Sequence, residues 1–399
     1  MPAGSWFPEH FLFGAATAAH QIEGGNVNAD WWAFEHDPGS GVIDTSGDAC
    51  DSWHRWVQDL DIAQAIGLNA YRFSVEWARV EPEPGEVSDA ALDHYRRVAA
   101  GCRERGLIPV VTLHHFTLPR WVAERGGFES AELPGRLAAY AARVGDALGD
   151  LIGLACTINE PSVVALNGYL RGVFPPKVRE RARFEAVSAT LRVAHHEMVA
   201  ALRASRGAFP VGITLSMTEM EADEGGEAQL ARASEHMEDA YLRDLAGDDF
   251  VGVQTYTRTR FGPEGVRRPG DDVRRTKMGY EYRPEAVEHA VRRAAAVTGL
   301  PVVVTETGIS TDDDAERIEF IDAVTEGIAS CLADGLDVRG VFYWTLLDNF
   351  EWSLGYTQPF GLVACDRRTF ERRLKPSATH WGSIARSVRR SPIPADAAQ

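Results

Sequence analysis

The amino-acid sequence predicts an α/β protein built as a single (β/α)8 TIM barrel. Short runs rich in Val, Ile and Phe alternate with longer stretches whose apolar residues recur at helical spacing, a pattern typical of repeated βα units. Eight such pairs can be counted, and no linker or low-complexity block interrupts them. Several helical stretches end in a glycine directly before the next strand, as at Gly106, Gly299 and Gly335. These observations favour one closed barrel over an open, doubly wound sheet.

The eight predicted strands are short apolar runs. Parallel strands are covered on both faces, so nearly continuous apolar runs are expected for them. In chain order the predicted strands are FLFGAATAA (11–19), AYRFSVEW (70–77), IPVVTLHHF (108–116), IGLACTINE (152–160), PVGITLSM (210–217), FVGVQTYTR (250–258), PVVVTETG (301–308) and VRGVFYWTLL (338–347).

The predicted helices lie between these strands, where apolar residues recur every three or four positions. The clearest of them are residues 51–68, 89–106, 135–150, 185–205, 315–335 and 376–391. We therefore predict one barrel domain over residues 1–390. The remaining residues, SPIPADAAQ (391–399), are rich in Pro and Ala and are predicted to form a flexible C-terminal tail.

Composition and charge restrict the expected partners. Asp and Glu outnumber Lys and Arg by 58 to 41, which gives a formal charge of −17. Such a surface repels phosphate backbones and anionic membranes, so neither nucleic acid nor a membrane is an expected partner. The apolar run 11–19 is too short to span a bilayer, and no basic segment precedes it, so no signal or anchor is expected.

The cysteines indicate the compartment. Five cysteines are scattered along the chain without metal-ligand spacing, which predicts a reducing, cytoplasmic location and no disulfide framework. No metal and no cofactor are expected, and the sequence leaves the oligomeric state open.

Polar residues collect where the predicted strands end, which is where (β/α)8 barrels carry their chemistry. Glu160 closes the fourth strand before a proline, which cannot donate to a strand ladder, and Glu306 closes the seventh. Because strand side chains alternate, Asn159 and Glu160 cannot both point to the barrel axis, so a bulge or loop start is predicted at Asn159. The other candidates on this rim are Arg72, His114, His115, Trp344, Asp348, Glu351 and Trp352.

Two carboxylates on one rim suit the cleavage of a glycosidic bond. One carboxylic acid protonates the leaving oxygen while the other attacks or stabilises the anomeric centre of the sugar. The acid must stay protonated near neutral pH, whereas the nucleophile must stay ionised beside a cation such as Arg72. Two alternatives stay open at this point: Arg72 as a structural ion pair, and Glu160 as a solvated carboxylate at a strand end.

Five stretches, in the same order, resemble the signatures of the family 1 glycoside hydrolases, the retaining β-glucosidases and their relatives. They are FLFGAATAAHQIEGG, YRFSVEWARVEP, TINEP, VTETG and YWTLLDNFEWSLGYTQPFGLVACD. The resemblance covers nearly the whole chain. It implies a cofactor-free, retaining β-glycosidase that cleaves small β-glycosides through a covalent glycosyl-enzyme intermediate.

The resemblance also implies roles for single residues. Glu160 would be the acid/base and Glu306 the nucleophile. Arg72 and Tyr256 would keep Glu306 ionised and oriented. Asn159 would bind the sugar hydroxyl next to the anomeric carbon. The remaining hydroxyls would be bound by Gln21, His115, Trp344, Glu351 and Trp352. Polar groups and an aromatic face together are what a pyranose requires.

Four residues depart from the usual family pattern. Phe116 replaces a tryptophan, Gln254 and Thr255 replace Asn-Tyr, and Thr307 replaces the asparagine after the nucleophile. Phe116 and Gln254 are expected to line the sugar site. These departures bear on the identity of the sugar and leave both carboxylates in place. The chain is also short between residues 160 and 254, which predicts a more open site for the leaving group.

Three other functions fit a barrel with polar strand ends. A metal-dependent lyase would need a third positioned ligand and a Lys or His base, which the strand ends do not offer. A non-catalytic sugar-binding barrel would not need both carboxylates. Transfer of the sugar to an alcohol shares the covalent intermediate and remains an alternative. A negative charge on Glu351 at the outer edge of the sugar favours unphosphorylated sugars.

Overall fold

The computed structural model describes residues 7–388, and its centre is a closed barrel of eight parallel strands. In chain order these are β1 Leu12–Ala16, β2 Ala70–Ser74, β3 Ile108–His114, β4 Leu154–Asn159, β5 Val211–Ser216, β6 Phe250–Gln254, β7 Val302–Thr307 and β8 Val338–Trp344. Each strand pairs with the next one along the chain, and β8 closes the barrel against β1. The predicted (β/α)8 fold is confirmed.

Helices connect the strands around the outside of the barrel. The long ones are Ser52–Ile66, Asp89–Glu104, Leu133–Leu148, Arg181–Ala204, Ala286–Thr298, Asp314–Ala333 and Pro376–Val388. Between β5 and β6 the helical connection is divided into Glu227–Ser234, a π-helical turn Glu235–Asp239 and Ala240–Leu242. Shorter helical segments are Ala19–Ile22, Asp30–Glu35, Trp77–Val80, Arg120–Glu124, Gly127–Glu129, Pro161–Ala165, Leu166–Leu170 and Trp352–Leu354.

Alternate strand positions form two apolar layers. Side chains such as Phe250 and Phe342 fill the inside of the barrel, whereas Tyr71 and Phe73 belong to the layer between strands and helices. The same alternation places Arg72, between those two outward side chains, inside the barrel, where it is fully buried. A buried guanidinium requires polar partners, so the carboxyl end of the barrel interior has to be polar.

Several strands end earlier than predicted because the chain turns sharply at their carboxyl ends. Phe116 and Glu160 have φ angles of 72° and 45°, which lie in the left-handed region and do not continue a strand. The pairing of β4 with β5 shifts register between Cys156 and Asn159. This shift confirms the irregularity predicted at Asn159.

The predicted strand 250–258 is wrong in its second half. β6 ends at Gln254, and Arg258–Gly262 belongs to a separate three-stranded sheet with Glu219–Ala222 and Gly265–Arg267. Ion pairs hold this small sheet in place, for example between Arg258 and Glu221 at 3.1 Å. A further two-stranded sheet joins Val363–Cys365 to Arg372–Leu374.

Within residues 7–388, no helix is long and apolar enough to cross a membrane. Over the same range, no cluster of His, Cys, Asp or Glu side chains is arranged to hold a metal ion. All five cysteines are free thiols. The predicted tail 391–399 lies outside the described residues, and its separation from the barrel domain stays a prediction.

Candidate active site

Four strands bring polar side chains to one point at the carboxyl end of the barrel. Arg72 lies in β2, Asn159 ends β4, Gln254 ends β6 and Glu306 lies in β7. All four side chains are buried, and hydrogen bonds join them into one network. These contacts bring together residues that are up to 234 positions apart, as expected where parallel strands end at a common rim.

Both carboxyl oxygens of Glu306 accept hydrogen bonds. Oε1 lies 2.5 Å from Nη1 of Arg72 and 2.9 Å from Nε2 of Gln254. Oε2 accepts from the Tyr256 hydroxyl at 2.6 Å. Burial raises the pKa of Glu306 above its ordinary value, and the Arg72 charge and the Tyr256 hydroxyl oppose that rise. These donors favour the ionised carboxylate.

The guanidinium of Arg72 also donates hydrogen bonds to groups other than Glu306. Nε donates to Oγ1 of Thr112 at 3.0 Å, and Nη2 donates to Oδ1 of Asn159 at 2.6 Å. Burial of a charged group is tolerated where it is paired and hydrogen-bonded in this way. The ion pair of Arg72 with Glu306 is therefore both a structural feature of the barrel interior and the source of positive charge beside Glu306.

Glu160 lies between β4 and the helix Pro161–Ala165. Its backbone is left-handed, with φ 45° and ψ 59°, and its N–H donates to the carbonyl of Thr214 at 2.9 Å. Burial, followed by the charge of Glu306, raises the pKa of Glu160 to about 8. Glu160 is therefore a largely protonated acid at neutral pH, and the alternative of a solvated carboxylate is wrong.

A third carboxyl, Glu351, follows β8. Burial and the nearby charge of Glu306 raise the pKa of Glu351 to about 8. At pH 7 this carboxyl is mainly neutral, in contrast to the negative charge assumed from the sequence. Nε2 of Gln21 lies 3.4 Å from Oε2 of Glu351 and donates to the carbonyl of Phe350 at 2.8 Å. Oε1 of Gln21 is buried and has no protein partner, which suits an acceptor for a ligand hydroxyl.

Aromatic rings pack beside this network. His115 lies nearly parallel to Trp344 and to Trp352, with ring centroids 5.9 and 6.1 Å apart. Phe116 packs with its ring centroid 4.9 Å from that of Trp352. Nε2 of His115 is 3.3 Å from Nδ2 of Asn159. The predicted aromatic and polar residues are therefore joined in one cluster.

Two predicted rim residues have structural partners instead. The ring of His114 packs edge-on against Phe128, with centroids 5.6 Å apart. Asp348 accepts from Nζ of Lys375 at 2.8 Å and from the N–H of Gly361 at 2.7 Å. Neither side chain contributes to the network around Glu306.

Two hydroxyl side chains that contact Asn159 and Glu160 were not predicted from the sequence. Oγ1 of Thr214 donates to Oδ1 of Asn159 at 3.2 Å, and Ser216 hydrogen-bonds the carboxyl of Glu160. Both lie in β5 two positions apart, so they share a face of the strand. Alternating hydroxyl residues near the carboxyl end of an otherwise apolar strand were the signal that would have found them.

Two buried carboxyl groups on one barrel rim, of which Glu306 is paired with a guanidinium, are typical of glycoside hydrolases. Residues 3–260 and 254–389 match the protein family described as Glycosyl hydrolase family 1. The chain belongs to glycosyl hydrolase family 1 and is a β-glycosidase, an enzyme that hydrolyses O-glycosyl bonds.

Individual relatives are similar over almost their whole length. Beta-glucosidase A of Thermotoga maritima is 32% identical, with 96% of this chain and 98% of the relative aligned. Thermostable beta-glucosidase B of Thermobispora bispora is 33% identical over 95% of this chain and 90% of the relative. Among solved structures, beta-glycosidase BGL167 has a TM-score of 0.91 and 43% identity, covering 98% of this chain and 99% of that one. These names favour hydrolysis over the transfer and sugar-binding alternatives.

Proposed function

We propose that this β-glycosidase retains anomeric configuration, with Glu306 as nucleophile and Glu160 as acid/base. The difference between the two environments carries this assignment. Arg72 and Tyr256 stabilise the anion of Glu306, whereas burial keeps Glu160 protonated up to a pH of about 8. The site therefore offers an anion and an acidic proton at the same pH, as a two-carboxylate mechanism requires.

The reaction follows from these two states. Glu306 attacks the anomeric carbon and forms a glycosyl ester, while Glu160 gives its proton to the leaving oxygen. Glu160, now ionised, removes a proton from water, and the resulting hydroxide displaces Glu306 from the anomeric carbon. The sugar is released with its original configuration, Glu160 regains its proton and Glu306 regains its charge.

The side chains that bind the sugar are oriented by hydrogen bonds to neighbouring protein groups. Asn159 directs its Nδ2 towards the hydroxyl next to the anomeric carbon, because its Oδ1 is occupied by Arg72 and Thr214. Gln21 and Glu351 offer an acceptor and a protonated carboxyl to the outer hydroxyls. A 6-phosphate would bury its negative charge beside Gln21 and Glu351, neither of which supplies a cation, so an unphosphorylated sugar is the expected glycone.

Two exposed apolar side chains lie close to Ser353, the residue that follows Trp352. Ile43 and Val173 are 58% and 42% exposed. Both residues are hydrogen-bonded to Ser353. The Ile43 N–H donates to the Ser353 carbonyl at 3.1 Å, and Oγ of Ser353 donates to the Val173 carbonyl at 3.2 Å. An aglycone that extends along the rim to this surface gains from burying apolar groups there, which favours aryl and alkyl aglycones over a second sugar.

A substrate panel with product stereochemistry tests this proposal. Relatives named beta-glucosidase, and one of Bifidobacterium breve named bifunctional beta-D-glucosidase/beta-D-fucosidase, support glucoside and fucoside as first substrates. We expect aryl and octyl β-glycosides to have higher kcat/KM than cellobiose. Proton NMR should show the β-anomer of the sugar as the first product. An α-anomer formed first would contradict retention, and inactivity across the panel would contradict the proposed substrate class.

The pH dependence should report three carboxyl groups. As pH falls, kcat/KM is lost when Glu306 takes up a proton. As pH rises through about 8, activity is lost because Glu160 and Glu351, whose pKa values both lie at about 8, become ionised. The basic limb should therefore fall with a slope of about two on a logarithmic plot. Glu351→Gln should reduce that slope to about one, and an unchanged slope would show that Glu351 is not the second group.

Phe116→Trp should restore an indole N–H beside the sugar site. Phe116 contacts His115 and Trp352, with ring centroids 4.9 Å from each. A donor to one ring hydroxyl discriminates among sugars by about 1 to 3 kcal/mol. We expect the ratios of kcat/KM among aryl glucoside, galactoside, fucoside and xyloside to change at least about fivefold. Phe174→Trp, in the same aromatic cluster, is the control, and unchanged ratios in Phe116→Trp would remove Phe116 from the glycone site.

We infer a cytoplasmic location from the five free thiols, four of which are buried. Cell fractionation followed by an activity assay checks this inference. Activity recovered from the medium or the periplasm would contradict it.

A further inference from the structure

Gln254 lies between the two residues that handle the anomeric end of the sugar. It is the last residue of β6 and is fully buried. Nε2 of Gln254 is 2.9 Å from Oε1 of Glu306 and 2.8 Å from Oδ1 of Asn159. An amide nitrogen carries two hydrogens, so a single group donates to both neighbours at once.

We propose that Gln254 is a positioning residue that fixes both the nucleophile Glu306 and the amide of Asn159. This inference rests on the proposed roles of those two residues and gives Gln254 a different role from the sugar contact expected from the sequence. Glutamine at this position is also one of the departures of this chain from the usual family pattern, in which asparagine occurs.

The donor count determines the orientation of the Gln254 amide. Glu306 Oε1 and Asn159 Oδ1 are both acceptors, and an ionised carboxylate has no hydrogen to donate. The opposite orientation would bring Oε1 of Gln254 against these two oxygens. In the observed orientation Oε1 of Gln254 has no protein partner. The amide therefore makes two hydrogen bonds as a donor and none as an acceptor. The second donor on Oε1 of Glu306, beside Arg72, favours the anionic form.

The contact with Asn159 is one of three that determine which atom of its amide faces the sugar. Oδ1 of Asn159 receives hydrogen bonds from Arg72 Nη2 at 2.6 Å, Gln254 Nε2 at 2.8 Å and Thr214 Oγ1 at 3.2 Å. With three donors on the oxygen, the Asn159 amide cannot reverse without bringing its NH₂ group against donors. Nδ2 is therefore the group presented to the hydroxyl next to the anomeric carbon.

The length of the side chain is essential to this double contact. Asparagine is shorter by one methylene, about 1.5 Å, and both observed contacts of Gln254 are already at normal hydrogen-bond length. From the same Cα position, asparagine cannot reach both acceptors. Gln254→Asn therefore loses at least one contact while keeping an amide, and Gln254→Glu keeps the length and shape but places a carboxyl oxygen against two acceptors.

The experiment compares Gln254→Asn, Gln254→Glu and Gln254→Met with the wild type and with Thr255→Val. Thr255 is the neighbouring buried residue, and its Oγ1 has no protein partner, so Thr255→Val controls for a substitution at this depth. Two quantities are measured: the pKa of the acidic limb of kcat/KM, and the ratio of kcat/KM for an aryl β-glucoside to that for its 2-deoxy analogue. A residue that only fills space would move neither quantity.

We expect the acidic-limb pKa to rise by about one unit in Gln254→Met and by more in Gln254→Glu, because the anion of Glu306 loses a donor or meets a second carboxyl. The preference for glucoside over 2-deoxyglucoside should fall about threefold or more in both, because Oδ1 of Asn159 loses one of its three donors. The fall should be larger in Gln254→Glu, where a carboxyl oxygen is placed against Oδ1 of Asn159. Gln254→Asn should lie between them and the wild type, and Thr255→Val should match the wild type in both quantities.

The proposal is overturned if the folded variants keep both the acidic limb and the 2-hydroxyl preference of the wild type. Should Gln254→Met fail to fold, Gln254→Asn and Gln254→Glu decide the question by the same two measurements. Labelling of the wild type with a 2-deoxy-2-fluoro aryl glucoside, followed by peptide mass spectrometry, separates this inference from the proposed function. A label on Glu306 supports its role as nucleophile independently of Gln254, whereas a label on another residue refutes the proposed function and this inference with it.

Discussion

Glu306→Gly is expected to lose turnover by a factor on the order of 10⁴ to 10⁶, the usual loss when a covalent nucleophile is removed. The substitution deletes the carboxylate that Arg72 and Tyr256 stabilise and leaves space on the α face of the sugar. Azide should fill that space and attack the anomeric carbon while Glu160 assists the leaving group. We expect azide to restore turnover of an activated aryl β-glycoside, with the α-glycosyl azide as product.

Glu160→Gly provides the matched control in the same pocket. In that variant Glu306 still forms the glycosyl ester with an activated substrate, and azide replaces water in the second step. Because this attack comes from the opposite face, the product should be the β-glycosyl azide. The two variants should therefore give azides of opposite configuration. A β-azide from Glu306→Gly, or the same anomer from both variants, would contradict the assignment of the two carboxylates.

The sequence was sufficient to predict the barrel because its signals are local and repeated. The strands β1 to β8 all lie within predicted runs, and glycines such as Gly299, with φ 67°, end helices where the sequence indicates. Glu160 and Glu306 could be assigned to one rim because every strand of a parallel barrel ends on the same side. The barrel topology therefore places these two residues, which are 146 positions apart in the sequence (306 − 160), in one site.

The finer features could not be predicted because they depend on contacts between distant strands. The run from Phe250 onward is a continuous β-like pattern, and only the ion pairs of Arg258 with Glu221 and Glu281 show that the chain has joined another sheet. Positive φ at Phe116 is likewise not indicated by its residue type. The role of Gln254 depends on the register shift between β6 and β7 that pairs Gln254 with Glu306.

The charge state of Glu351 is another feature that could not be predicted from the sequence. A glutamate in a sequence is counted as a negative charge, but burial and the Glu306 anion raise the pKa of this one to about 8. Within residues 7–388, Arg72 forms its ion pair with Glu306, and neither Glu160 nor Glu351 has an ion pair. The charge state of each carboxyl therefore follows from its neighbours in the fold.

Glu160→Gln is expected to slow substrates with poor leaving groups by about 10² to 10⁴, the usual contribution of a positioned general acid. The amide has nearly the size of the carboxyl but no acidic proton, so alkyl and weakly activated aryl aglycones must leave as anions. Dinitrophenyl glycosides, whose leaving groups need no proton, should lose much less in kcat/KM, which reports the first chemical step. The basic limb that begins at a pH of about 8 should keep only the contribution of Glu351.

Glu238→Gln is the control for this prediction. Glu238 is also a fully buried glutamate, and burial raises its pKa to about 7, but it contacts Thr218 and Arg293 in the outer connections. Glu238→Gln should leave the dependence of kcat/KM on leaving-group pKa unchanged, whereas Glu160→Gln should steepen it. Loss of a general acid lowers kcat/KM most for substrates whose departing oxygen is most basic. If Glu160→Gln lowers kcat/KM equally for dinitrophenyl and alkyl glycosides, Glu160 is not the proton donor.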